Sequence, residues 1–130
     1  MSGKIIKIQC EDAPRAIGPY SQAVSAGNLV FVSGQIPLDV VTGDIFKGDI
    51  KEQTAVVIGN IEKILASSAL KLDNVVKTDV FLADMSDFPA MNEIYGAKFN
   101  GDVLPARCVI QAARLPRDAR IEISCIACRE

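Results

Sequence analysis

The sequence predicts an α+β fold, a single mixed sheet of about six strands with two helices packed on one face. Three observations carry this. Four of the six short apolar runs are grouped in pairs around turn signals, which marks strands. Two longer segments have apolar residues at helical spacing, one before and one after a strand-like run. The resulting order, β, β-β hairpin, α, β, α, β-β, segregates the helices and leaves one sheet face without cover. At 130 residues the chain reads as one domain, 1–130.

Lys4 to Gln9 alternates in part, with Ile6 and Ile8, and predicts the first strand. Ala13 to Tyr20 contains two prolines and a glycine and is a loop. Ser21–Ala26 and Leu29–Ser33 flank Gly27-Asn28, a two-residue hairpin signal. Gly34-Gln-Ile-Pro37 stops the second run. Asp49 and Glu52 have capping-box spacing, and Val57, Ile58, Ile61, Ile64 and Leu65 form the stripe of a helix ending near Leu70. Asn74–Leu82 is a strand with Val76, Thr78, Val80 and Leu82 on one face. The second helix is capped by Ser86 or Asp84, tolerates Pro89 in its first turn, and carries the stripe Phe88, Met91, Tyr95 and Phe99. Arg107–Ala112 and Arg120–Cys128 are the last two strands. The final strand is half apolar on its second side (Glu122, Ser124, Ile126, Cys128), so a second subunit is expected to cover that face.

Composition narrows the chemistry. The net charge is −2 and no histidine is present, which removes the commonest general base and metal ligand. Arg, Asp/Glu, Tyr, Ser, Cys or backbone groups must do any catalysis. Between Ala106 and Ile121 four arginines face one aspartate, too narrow a basic field for a nucleic-acid surface. The beginning of the chain lacks the run of a signal peptide, no stretch reaches membrane-span length, and the expected location is cytoplasmic. A cleaved mitochondrial presequence would leave no trace. Cys10, Cys108, Cys125 and Cys128 are expected as free thiols. Cys125 and Cys128 match C-x-x-C, but three residues apart on a strand they point to opposite faces and cannot share an ion. Ser68 to Lys71 matches S-x-x-K only by accident at a helix end.

The stretch Pro105 to Pro116 reads as a buried strand with Arg107 at its mouth. A buried guanidinium needs an anion, either an internal carboxylate or one from outside the chain. If the last two strands pair antiparallel about Arg114 and Leu115, Arg107 falls opposite Glu122. The two then form a simple ion pair, or they divide labour between a substrate carboxylate and a water.

Gly18-Pro-Tyr-Ser-Gln-Ala23, Val32-Ser-Gly-Gln-Ile-Pro37, Asp87-Phe88 with Asn92, Pro105-Ala-Arg107, Ala113-Arg-Leu-Pro116 and Ile121-Glu-Ile123 follow the order seen in the RidA/YjgF family, also called the L-PSP endoribonuclease family. Each motif alone is weak, but together they span almost the whole chain. The resemblance implies a chorismate-mutase-like fold and a homotrimer around a central β-barrel, with a cleft at each subunit interface. It implies hydrolysis of 2-imino acids, the enamine/imine products of pyridoxal-phosphate dehydratases, to 2-keto acids and ammonia, with no metal or cofactor. By the same resemblance Arg107 binds the substrate carboxylate and Glu122 orients or deprotonates water. Tyr20, Ser33, Asn92 and Phe88 line the cleft, and the backbone at Gly34 and Val109 is available to the ligand.

The sequence departs from the family in two places. Many relatives read Arg-Ser-Cys at the anchor, whereas here Cys108 follows the arginine directly and Val109 holds the second place. A one-residue shift moves the thiol to the other face. The first helix ends in Ser68-Ala69-Leu70 where relatives have Ala-Gly-Leu. Two other functions compete with the deaminase, a regulatory trimer that binds 2-keto acids without turnover and an endoribonuclease or translation inhibitor. The acidic balance and the lack of stacking aromatics near the arginines argue against nucleic acid.

Overall fold

In the computed structural model, which describes residues 4–129, six strands form one mixed sheet with two helices. The strands are β1 (Ile5–Ile8), β2 (Ala23–Ala26), β3 (Leu29–Gln35), β4 (Val75–Leu82), β5 (Ala106–Gln111) and β6 (Ile121–Cys128). The helices are α1 (Ile50–Ala66) and α2 (Phe88–Lys98). Met1–Gly3, the start of the segment read for targeting signals, lie outside the described residues. Across the sheet the order is β1-β2-β3-β6-β4-β5.

Local chemistry sets most boundaries. Gly27 takes a left-handed conformation (φ 61°) and closes the β2–β3 hairpin, with Ala26 opposite Leu29. Asp49 accepts from the Glu52 N–H at 2.8 Å while the Glu52 carboxylate accepts from the Asp49 N–H at 2.9 Å, so α1 begins in a full capping box. Val57, Ile58, Ile61, Ile64 and Leu65 are completely buried. Asp84 caps a single 3-10 turn, Met85–Asp87, that leads into α2. Met91, Tyr95 and Phe99 of its stripe are buried, and the Tyr95 and Phe99 rings stack at 4.4 Å. Val76 departs from the expected face. A register break between Val75 and Lys77 buries Val75 and turns Val76 outward.

Helix α1 stops one turn before Leu70. Ser67 is its C-cap, and Ala69 takes a left-handed backbone (φ 60°) so that the Leu70 N–H returns to the Leu65 carbonyl at 2.9 Å. An L-residue with a Cβ is disfavoured there by about 1 kcal/mol. Ala69→Gly is therefore expected to raise the unfolding free energy by about 1 kcal/mol, which a urea titration would measure. No gain would mean the cap is not strained.

The ends of the sheet overturn the expected last hairpin. β5 does not pair with β6. It lies at the far edge, parallel to β4, with Arg107 beside Thr78. β6 instead fills the centre, antiparallel to both β3 and β4, with Glu122 opposite Phe81. A parallel pair needs a crossover, and α2 supplies it between β4 and β5. The chain then crosses β4 through Ala112–Arg120, with a 3-10 turn at Pro116–Asp118. Nor is the Arg107 strand buried, since most of β5 is exposed as an edge.

Both helices cover the face that buries Ile121, Ile123, Cys125 and Ala127 of β6. The other face carries Phe31, Phe81, Ile126 and Ile110 among polar groups, with Phe31 and Ile110 exposed. Cys125 is buried on the helix side and its thiol is pushed up to about 12 by desolvation. Cys128 has the opposite parity, as the strand spacing required. All four cysteines are free. No helix among the described residues is long and apolar enough to cross a membrane.

Candidate active site

The predicted site residues fall into two groups. The first surrounds Glu122. Strand alternation sends this side chain to the uncovered face, between the buried Ile121 and Ile123. The β3–β6 register breaks between Val32 and Gln35, and the break brings Gly34 against the Glu122 carboxylate. A Cβ on Gly34 would collide with that carboxylate, so glycine is required by close approach. β3 thus continues through Gly34 to Gln35, although Gly34 looked like its stop. Burial raises the Glu122 pKa above the ordinary carboxylate range. No arginine or lysine lies within ion-pair distance of Glu122 among the described residues; Arg120 is engaged with Asp87 at 3.0 and 3.1 Å instead.

Tyr20 and Ser33 share a cavity of about 630 Å³ with Gly34 and Glu122. The Ser33 hydroxyl donates to the Ser21 carbonyl at 2.6 Å, which commits its proton and leaves its lone pairs free. The Tyr20 hydroxyl accepts a long bond from the Ile17 N–H, 3.4 Å, and its ring is half-exposed. The loop that carries Tyr20 is organised by Gln22, which sequence reasoning did not single out. Its buried amide accepts from the Cys10 N–H at 2.6 Å and donates to the Cys10 and Pro14 carbonyls at 3.1 and 2.7 Å. A polar residue inside the Gly18–Ala23 motif at a strand-like position was the available signal.

The second group surrounds Arg107. Arg107 Nη1 donates to Asn92 Oδ1 at 2.7 Å. Its guanidinium lies over the Tyr95 ring at 4.7 Å and the Phe88 ring at 5.5 Å, a cation–π cradle. Tyr95 is itself fixed by a 2.7 Å hydrogen bond with Thr78, and burial raises its pKa. One chain therefore supplies Arg107, Asn92 and Phe88 together, while Tyr95 and Thr78 are partners the sequence did not announce. Val109 has the same parity as Arg107 and packs partly against the core. Cys108 has the opposite parity and is exposed, as its one-residue shift predicts. No carboxylate lies within ion-pair distance of Arg107 among the described residues.

Arg107 and Glu122 do not meet within the chain. Glu122 is opposite Phe81, and Phe81 is opposite Ile110, three residues from Arg107. Two strand spacings and three residues along β5 put their Cα atoms roughly 14 Å apart. The odd offset also places the side chains on opposite faces of the sheet. The expected face-to-face pairing is thus corrected: β4 separates the two strands.

Gly34→Ala is expected to cut any Glu122-dependent activity by about 10- to 100-fold, because the displaced carboxylate loses its aim. Arg107-dependent ligand binding should survive, as should the fold, which a melting curve and a ligand titration would check. An active Gly34→Ala protein would show that the carboxylate has room to move.

The family model described as Endoribonuclease L-PSP matches residues 10–129. A RutC family protein from Pyrococcus horikoshii is 52% identical over 120 residues, covering 92% of this chain and 94% of that protein. The Mus musculus 2-iminobutanoate/2-iminopropanoate deaminase is 46% identical over 120 residues, covering 92% and 88%. The crystal structure of E. coli TdcF with bound serine superposes with a TM-score of 0.90 at 39% identity, covering 95% of this chain and 98% of that one. The motifs, the sheet order and these likenesses agree, and the chain belongs to the Endoribonuclease L-PSP family, the RidA/YjgF group.

Proposed function

We propose that this protein hydrolyses 2-imino acids to 2-keto acids and ammonia, acting as a single-domain homotrimer with a cleft at each subunit interface. The observation that carries the reading is the pair of half-sites. A guanidinium without a carboxylate stands on one edge of the chain, and a carboxylate without a cation stands in a cavity elsewhere. Neither has a partner in its own subunit among the described residues. A small imino acid cannot bridge roughly 14 Å, so the site is completed by a neighbouring chain. The exposed apolar residues of the uncovered sheet face supply the surface for that contact. The name of the mouse relative supports the substrate class.

Arg107 would hold the substrate carboxylate through two guanidinium nitrogens, a fork that Asn92 and the Tyr95 ring keep oriented. The backbone at Gly34 and Val109, with Ser33, Tyr20 and Phe88, would complete the cleft. An iminium carbon is already electrophilic, so positioning and a proton path suffice. Water adds to the carbon while its proton passes to the Glu122 carboxylate. The protonated Glu122 returns that proton to the amine nitrogen. The hydroxyl proton then moves to Glu122 as the C–N bond breaks, leaving the 2-keto acid. Ammonia takes that proton and departs as ammonium.

The test generates 2-aminoacrylate in situ with a pyridoxal-phosphate dehydratase and follows 2-keto acid release. Acceleration by the wild-type protein is expected. No acceleration would sink the deaminase assignment and favour a keto-acid-binding regulator. RNA cleavage that survives loss of both Arg107 and Glu122 would point to a different site.

A further inference from the structure

Building on the imine-hydrolase assignment, we infer that the cavity beside Glu122 is a side-chain subsite that selects 2-imino acids with extended apolar side chains over the three-carbon substrate. At about 630 Å³ the cavity has room for on the order of twenty waters at ~30 Å³ each. A three-carbon imino acid has six non-hydrogen atoms, so most of that space lies beyond the reacting carbon. Ile17, Ile36, Leu38 and Pro116 line it, and Ile17 is 84% exposed although it is a large apolar residue. Such a wall favours an aliphatic group, which it can desolvate.

Charge decides against the rival, an acidic side chain. Arg117 also lines the cavity, but its guanidinium is committed elsewhere: Nη1 donates to the Gly43 carbonyl at 2.9 Å and Nη2 to Asp44 Oδ1 at 3.3 Å. The backbone accepts a left-handed conformation at both Arg117 and Asp118 (φ 57° each) to make this tie, a cost that surrounding contacts must offset. Asp118 is anchored in turn by Arg114 at 2.7 and 3.1 Å. The tie joins the Pro116–Asp118 turn to the Gly43–Asp44 turn, next to the segment that carries Leu38. It fixes the width of the outer wall and neutralises the cation there. Arg15 is the remaining cation on the lining, on an exposed loop.

The experiment compares kcat/KM of the full-length assembled protein for three imines made in situ. They are 2-iminopropanoate from a dehydratase, and 2-imino-4-methylpentanoate and 2-iminoglutarate from amino-acid oxidases. The branched apolar imine is expected to exceed 2-iminopropanoate by about 10-fold or more, the effect of roughly two buried methyl-sized groups. Ile17→Trp, at an exposed position where folding is insensitive, is expected to lower that ratio by about 10-fold by filling the subsite. Turnover of 2-iminopropanoate with no preference for the longer imine, or with a preference for 2-iminoglutarate, would overturn the subsite and leave the deaminase intact. An unchanged ratio in Ile17→Trp would also overturn it. Failure to hydrolyse any of the three would remove the deaminase assignment and the subsite with it.

Discussion

Arg107→Ala is expected to lower kcat/KM for 2-imino acids by about 100- to 1,000-fold while leaving the melting temperature within about 2 °C of wild type. The first number follows from losing a two-pronged, charge-assisted contact to a carboxylate, about 3–4 kcal/mol of transition-state binding. The second follows from the surroundings of the residue. Arg107 lies on an exposed edge strand, pairs with no carboxylate among the described residues, and donates only to Asn92. Its removal strands no buried charge. Arg107→Lys should recover only part of the rate, because an ammonium keeps the charge but loses the planar fork and the stacking on Tyr95. Asn92→Ala should cost less than Arg107→Ala, about 10-fold, since Asn92 orients the guanidinium without carrying the charge. Steady-state kinetics and a thermal melt of the same preparations check both halves. A collapse in melting temperature would make Arg107 a structural residue. An unaltered rate would move the carboxylate anchor elsewhere.

The same arginine shows what the sequence can and cannot convey. Its importance was legible because it opens a short apolar run and sits inside a motif shared with a family. Its neighbours were not. Arg107 touches Asn92, Phe88 and Tyr95 because α2 crosses over to deliver β5 alongside β4, and a crossover is a property of topology rather than of any local pattern. Capping and turn chemistry act within a few residues, so the α1 capping box and the Gly27 hairpin could be placed in advance. Strand order depends on which faces must be covered. β6 is buried on every second residue along its whole length, and so it takes the centre of the sheet, displacing β5 to the edge. A helix between two strands does predict a parallel neighbour, and that rule, applied to β4, α2 and β5, would have excluded the hairpin that set Arg107 against Glu122. The register break that packs Gly34 on Glu122 left no periodic trace, and neither did the Gln22 amide that holds the Tyr20 loop. Such features depend on contacts across strands and loops, which become readable only once the sheet is assembled.

Glu122→Gln separates the catalytic role of the carboxylate from its structural consequences. The substitution should lower kcat by about 100- to 10,000-fold, the range for losing a positioned base, while inhibition by a 2-keto acid persists, because the Arg107 half-site is untouched. Stability should move the other way. Desolvation raises the folded pKa of Glu122 above its unfolded value. The native state therefore holds the proton more tightly than the unfolded chain does. As pH rises through the window from the ordinary carboxylate value up to the raised one, the native protein loses stability through this group, and the loss remains in full above it. A neutral glutamine of nearly the same shape escapes that loss. Glu122→Gln is thus expected to melt higher than wild type at pH 7 and to converge with it below the ordinary carboxylate value. The acid limb of the wild-type kcat/KM profile should follow the raised pKa and vanish from whatever residual activity the variant keeps. Parallel melts and rate profiles across this pH range provide the check. A variant that retained the wild-type rate would remove Glu122 as the base and leave Arg107 as the anchor. A variant that melted lower at neutral pH would mean that Glu122 is held by an ion pair across the subunit interface, one strong enough to reverse the effect of burial.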